Sequence, residues 1–412
     1  MQMFANRGAA SREIRSPAAI AAVVVAAVVV SGCAGESAPA SVVRDSLGVR
    51  IVESPAPAWS AEAAWWIEEV PLVDLSSSGA GEEHFFYRVR DVLRVADGRL
   101  IVGDGASNEV RIYDVSGRFV RSFGGEGDGP GEFQYLAPLT LLRNGRVVVQ
   151  DYTDGGRGAE FDLVSGLVSS FRRPRMIGPL RQPATSEFLW GIDEMSGFLK
   201  VVGSQGLKRP LATIVRLSDD RASSHTVAVV PGREVFIAPD ADAGPPMGRQ
   251  LHAVPTGDGE LVIGTADRLE YSKLDGATGA LRMIARIPGV SLAVSRQELD
   301  RERRVRLGPD PRPHILEIFE LLPEPAEKPA YQQVLVDVEG NVWAGEFLGL
   351  ARRHDSQKWY VWDSSGVWLG IVETPARFEL MRVGGDEVFG VRRDFDEVES
   401  PQVLRLHKGR KR

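Results

Sequence analysis

Short apolar runs, each opened by a glycine and most closed by a small or acidic residue, recur along the chain. They are Gly98–Asp104, Gly145–Asp151, Gly197–Gly203, Gly259–Thr265, Gly340–Glu346 and Gly385–Val391. The residue ahead of the glycine is Asp97, Asn144, Ser196, Asp258, Glu339 or Gly384, so each copy opens on turn chemistry and continues as a strand-length apolar stretch. Each copy therefore predicts the turn between the first two strands of an antiparallel unit. The glycines are spaced as four-stranded units require, apart from one long interval between Gly259 and Gly340. A charged helix-like stretch from Arg296, three prolines and the apolar run Ile315 to Leu322 fill that interval. This predicts a helical insertion at about 295–328 whose charges form a solvated face.

A second marker has the form Asp-x-x-Gly. It occurs at Asp114 to Gly117 and Asp363 to Gly366, one residue longer at Asp162 to Gly166, and again at Asp45 to Gly48. It predicts the turn between the two outer strands of a unit. The early copy, followed by Val49 to Val52, has an outer turn without inner strands, while the unit from Phe378 to Leu406 ends before its outer strand. The two fragments together predict a ring closed by an N-terminal strand, which removes the free sheet edges.

Gly124 to Phe133, with five glycines and Pro130 in ten residues, separates two such units and is read as an ordered interblade turn. The whole pattern resembles the NHL-repeat type of six-bladed β-propeller. The expected fold is all-β: six four-stranded antiparallel blades in a single domain over 42–412. Trp59, Trp65 and Trp66 are read as packing of the lead-in segment rather than a stacking site.

Composition adds a location. The single cysteine excludes an internal disulfide. Arg7, Arg12 and Arg15 precede an apolar run from Ala18 to Val30 that is short for a membrane span, and Val30 to Cys33 resembles a bacterial lipobox. The resemblance implies a signal peptide over 1–32, lipidation of Cys33, a tether over 33–41, and an outer-membrane or cell-surface lipoprotein outside the cytoplasm. The formal charge of −7 gives no reason to expect nucleic acid. The excess of Arg over Lys reads as codon bias, and the chain is expected to be a monomer.

Propeller chemistry usually lies where inner strands begin. By register the candidate binding face comprises Tyr87, Arg88, Tyr135, His252, Tyr331 and Gln332, with Gln134, Trp190, Gln250 and Arg377 nearby. The set holds no catalytic dyad, and the chain has no Gly-x-Ser-x-Gly elbow, phosphate loop or His-Glu-x-x-His. The expectation is a binding or scaffold protein recognising an envelope protein, peptide or glycan, with no cofactor. The alternative is a hydrolase, lactonase or lyase using Ca²⁺ or Zn²⁺ in the central channel, as in related propellers. Zinc would require histidines meeting across the ring, with His84, His252 and His354 the candidates, and calcium would draw on Asp128, Glu126 and Glu132. A structural envelope component without a small ligand is the third option.

Overall fold

The computed structural model describes residues 41–153, 156–180, 188–239 and 242–409. The signal segment, Cys33 and nearly all of the tether lie outside the described residues. Among those described, no helix is long and apolar enough to cross a membrane.

The strands form six four-stranded blades, each laid down from the inner strand outwards. Blade 1 runs Val89–Arg94, Leu100–Asp104, Glu109–Tyr113 and Phe119–Gly124. Blade 2 is Thr140–Leu141, Val147–Gln150, Arg157–Asp162 and Gly166–Arg172. Blade 3 is Gly178–Pro179, Trp190–Asp193, Leu211–Leu217 and Ser224–Pro231. Blade 4 is His252–Pro255, Glu260–Gly264, Glu270–Asp275 and Leu281–Arg286. Blade 5 is Tyr331–Val336, Val342–Glu346, Lys358–Trp362 and Trp368–Glu373. Blade 6 takes Phe378–Val383, Glu387–Arg393 and Glu399–Lys408 from the end of the chain and its outer strand, Trp65–Asp74, from the beginning.

Ring closure by an N-terminal strand is therefore present, but Trp65–Asp74 makes it. The earlier segment forms a hairpin, Val42–Ser46 with Val49–Glu53, whose second strand lies parallel to the outer strand of blade 4. Leu47 and Gly48 both have positive φ, the geometry of a two-residue hairpin turn, so Asp45 to Gly48 is not an outer-strand turn of the ring.

The glycine turns follow expectation in five of the six copies. Gly98, Gly145, Gly259 and Gly340 adopt φ between +82° and +91°, a region closed to most side chains. The carboxylates of Asp97 and Asp337 and the amide of Asn144 accept backbone N–H groups across their turns. The copy at Gly197 differs: Met195–Leu199 is a short helix, α1. A Cβ on Gly197 would lie 1.9 Å from the Leu211 carbonyl oxygen, so the glycine lets α1 press against blade 3. The first two strands of blade 3 are instead Gly178–Pro179 and Trp190–Asp193, paired antiparallel and both ahead of Gly197. The Asp-x-x-Gly marker does mark outer turns. Asp114 Oδ1 accepts from the backbone N–H groups of Ser116 and Arg118, and Asp363 Oδ1 from those of Ser365 and Val367.

The apolar core lies between neighbouring blades. Phe123, Phe133 and Phe161 interlock blades 1 and 2, with Phe123 and Phe161 stacked at 5.4 Å. Trp343, Trp359, Leu380 and Val388 join blades 5 and 6. Burying such a side chain contributes about 1.5–3 kcal/mol, so each interblade seam stabilises the ring substantially. Trp65 and Trp66 point to opposite sides of their strand: Trp65 packs near Trp59 and Trp343, and Trp66 stacks on His407 at 4.0 Å. That supports the packing reading of these tryptophans.

The insertion between blades 4 and 5 contains α2 (Arg296–Leu307) and α3 (Pro313–Leu321). Ser295 and Glu298 form a reciprocal capping box at the start of α2. Hydrogen bonds from the Ser295 backbone and hydroxyl, together with Lys328, hold the Glu298 carboxyl down at about 2, against an ordinary value of 4.5. Because the folded value lies below the unfolded one, the cap is fully effective above about pH 4.5 and is lost as pH falls through about 2. Amide-exchange protection across 296–307, corrected for intrinsic rates, is expected to fall a few-fold between pH 5 and pH 2. Equal protection at both would refute the assignment.

Candidate functional site

Because each blade is antiparallel from its inner strand outwards, the ends of its second and fourth strands lie on one face of the ring, and the described loops that follow them emerge there. The loop face carries additional structure. A small sheet of Gly206–Lys208, Val235–Ile237 and Asp242–Ala243 stands beside blades 3 and 4. Phe236 and Ala238 from this region pack with Ile318, Phe319 and Leu322 of the insertion. Glu302 on α2 is buried and accepts the backbone N–H groups of Leu350 and Ala351, which fixes the helix over the blade 5 loop. A charge that sequence reasoning places in water is thus one of the insertion's anchors.

Beside these elements lies a two-lobed groove, its smaller lobe lined partly by the insertion and its larger lobe by blades 5 and 6. One lobe, of about 340 Å³, is bordered by Arg233, Arg249, Gln250, Arg306 and Phe347. The other, of about 470 Å³, is bordered by His354, Arg377, Glu379, Arg393 and Glu397. Gln332 and Arg353 line both, so the lobes adjoin. Most of the acidic groups are committed: Glu234 to Arg249, Glu379 to Arg393, and Glu302 to backbone N–H groups. The groove is rich in guanidinium groups, several of them paired: Arg233 with Glu194, Arg249 with Glu234, Asp267 and Glu327, and Arg393 with Glu379 and Glu399.

The sequence-derived candidates divide. Tyr87 and Tyr135 are exposed at equivalent positions ahead of blades 1 and 2, where their carbonyls accept from Ala106 and Tyr152. Arg88, at φ +57°, lies over the Tyr87 ring at 5.4 Å. Gln332 is exposed in the groove, and its Oε1 accepts from the Leu348 N–H. Tyr331 does not belong to the surface. It is buried, its hydroxyl donating to the Glu270 carbonyl and accepting from the Ala266 N–H, so it clamps blade 5 to blade 4. Burial raises its phenol above the ordinary range. Trp190 is buried within blade 3. His252 lies 5.6 Å from the Tyr331 ring, and burial pushes its imidazole down to about 4, so it is neutral at pH 7.

His84, His252 and His354 are not gathered into one site. His84 is buried with Nδ1 2.6 Å from the Leu75 carbonyl, whereas His354 Nε2 is 3.0 Å from Glu397. Among the described residues, no three His, Cys, Asp or Glu side chains are arranged to hold a metal ion. In the glycine loop, Asp128 pairs with Arg157 at 2.7 Å and Glu132 accepts from the Gly129 N–H, so these carboxylates build the turn. Gly124, Gly125, Gly127 and Gly131 all take positive φ there, as an interblade turn requires.

Arg233, Arg249, Arg306, Arg353 and Arg393 escape sequence reasoning because the abundance of arginine carries no spatial information. The adjacent Arg352, Arg353 and His354, after the second strand of blade 5, are a local cluster of basic residues that could have drawn attention to this face.

Residues 83–153 match the model of the DUF5128 family, described as a 6-bladed beta-propeller. No curated protein matches the chain. Among solved structures, a Bacteroides fragilis protein described as exported aligns at 12% identity and TM-score 0.50, over 87% of this chain and 99% of its own. A DUF4221 family member from Bacteroides vulgatus aligns at 8% identity and TM-score 0.51, over 84% and 100%. Virginiamycin B lyase from Staphylococcus aureus aligns at 10% identity and TM-score 0.43, over 83% and 99%. At these identities the likeness to the two Bacteroides proteins is one of fold alone.

Proposed function

We propose that this chain is a lipid-anchored propeller outside the cytoplasm that binds an envelope partner through its loop face. The observation that carries the reading is the two-lobed groove. It is open and walled by arginines, and the helical insertion fixed by the buried Glu302 forms one side of its smaller lobe. Arginine at such a surface supplies planar, directional recognition of anionic and carbonyl groups. The lipobox resemblance at Cys33 and the apolar run before it support the location. The reading needs no catalytic group and no cofactor.

A photo-cross-linking residue at Gln332, in the groove, is expected to capture a discrete envelope partner in intact cells. The same residue at Val115, an exposed position in an outer turn of the opposite face, is expected to capture none. Equal capture from both faces, or none from Gln332, would remove the basis for the reading.

A further inference from the structure

The larger lobe carries on its wall a carboxylate that cationic side chains already engage. Glu397 lies on the loop between the second and third strands of blade 6, at φ +62°, a left-handed conformation uncommon for a non-glycine residue. Its Oε1 is 3.0 Å from His354 Nε2, 3.8 Å from an Arg353 nitrogen and 4.0 Å from an Arg377 nitrogen. Three nitrogen-bearing side chains from two blades thus converge on one carboxylate oxygen. Burial pushes the His354 imidazole below its ordinary range, although Glu397 acts in the opposite direction.

The remaining charges around the lobe are paired elsewhere. Arg393 is divided between Glu379 and Glu399, and Asp355 pairs with Arg352. Arg377 is held in place by a hydrogen bond to the Asp394 carbonyl and lies over the Phe395 ring at 4.4 Å. Arg353 and Arg377 therefore face a single carboxylate. That carboxylate is held weakly: Glu397 and Arg353 are each nearly half exposed, and both arginine distances are at the outer limit of an ion pair. Exposed pairs of this kind contribute little net stability, so a competing carboxylate can displace Glu397 at small cost.

We propose that this lobe is a receptor for the side-chain carboxylate of an acidic peptide segment of the partner, with Glu397 as the internal occupant that the segment displaces. The proposal rests on the loop-face reading above and gives it a ligand class. A peptide is favoured because the group seated in the lobe is itself a glutamyl side chain. The adjoining lobe extends the groove past Gln332, where Arg306, bound to the Gly244 carbonyl, offers further positive charge to the same segment, while Arg233 is shared with Glu194.

The test is fluorescence anisotropy of labelled hexaglutamate with the purified full-length protein at low salt. Glu397→Gln is expected to tighten binding about tenfold, because it removes the internal competitor while retaining a similar shape. The Arg353→Ala, Arg377→Ala double variant is expected to weaken it by about tenfold or more. Unchanged or weaker binding by Glu397→Gln would overturn the proposal. So would displacement of the label by trigalacturonate at lower concentration than by unlabelled hexaglutamate, which would assign the lobe to an acidic glycan. Circular dichroism melts of each variant serve as the folding control. Cross-linking from Gln332 that persists in excess hexaglutamate would overturn the ligand class while leaving the loop-face reading intact; cross-linking lost under that competition supports both.

Discussion

Replacing Asp91 by alanine is expected to destabilise the folded protein by about 3–5 kcal/mol, the usual cost of leaving a buried charge without its partner. Asp91 is fully buried on the inner strand of blade 1, and Arg382, 7% exposed, faces it from the inner strand of blade 6. The contact is two-pronged, with Nε to Oδ1 at 2.8 Å and a terminal guanidinium nitrogen to Oδ2 at 2.6 Å. The pair also reaches blade 2. Asp91 Oδ2 accepts from the Leu139 N–H and Arg382 donates to the Leu139 carbonyl, so three blades meet on one ion pair. Asp91→Ala leaves the guanidinium buried and the Leu139 N–H without this acceptor. The double variant Asp91→Ala, Arg382→Met removes both charges and is expected to lose less than the two single variants combined. Equilibrium urea unfolding at pH 7 measures each effect; a loss below about 1 kcal/mol for Asp91→Ala would show that the pair contributes little to stability.

That ion pair also marks the boundary of what local pattern reveals. The repeat is legible because most blades solve the same local problem. A glycine takes positive φ at the inner turn, an Asp side chain accepts backbone N–H groups at the outer turn, and apolar residues alternate between them. Such features depend on residues a few positions apart, and the sequence displays them directly. The pairing of Asp91 with Arg382 joins opposite ends of the chain and leaves no periodic trace. The groove is hidden for the same reason: Arg306 comes from the insertion, Arg353 from blade 5 and Arg377 from the connection to blade 6. Gly197 shows the opposite error. Its local pattern matches the repeat, but contact with Leu211 sets the conformation, and tertiary packing overrides the apparent strand signal. Tyr331 stands where an inner strand begins, as expected, yet alternation turns its side chain into the seam and leaves Gln332 on the surface.

Two truncations are expected to separate the strand that closes the ring from the hairpin that decorates it. A chain starting at residue 55 lacks Val42–Ser46 and Val49–Glu53 but keeps all six blades four-stranded. It loses the buried side chains of Ile51 and Val52 and the hydrogen bond from the Trp368 N–H to the Ser54 hydroxyl. At about 1.5–3 kcal/mol for each buried side chain, it should fold as a monomer of reduced stability. A chain starting at residue 76 also lacks Trp65–Asp74, and the consequence is of a different order. The third strand of blade 6 becomes an edge along its length, and Ile67, Leu75 and the Trp65 packing are removed from the seam. Asp74 can no longer accept from Ser400 and Gln402, bonds that pin the two ends of the chain together. An open ring with an unpaired apolar edge invites intermolecular strand pairing. The shorter chain is therefore expected to aggregate or to lose cooperative unfolding, as read by size-exclusion chromatography and urea melts. If it proved a stable monomer with an unchanged midpoint, closure by Trp65–Asp74 would not be what holds the ring together. If the chain starting at residue 55 failed in the same way, the hairpin parallel to blade 4 would be integral to the fold.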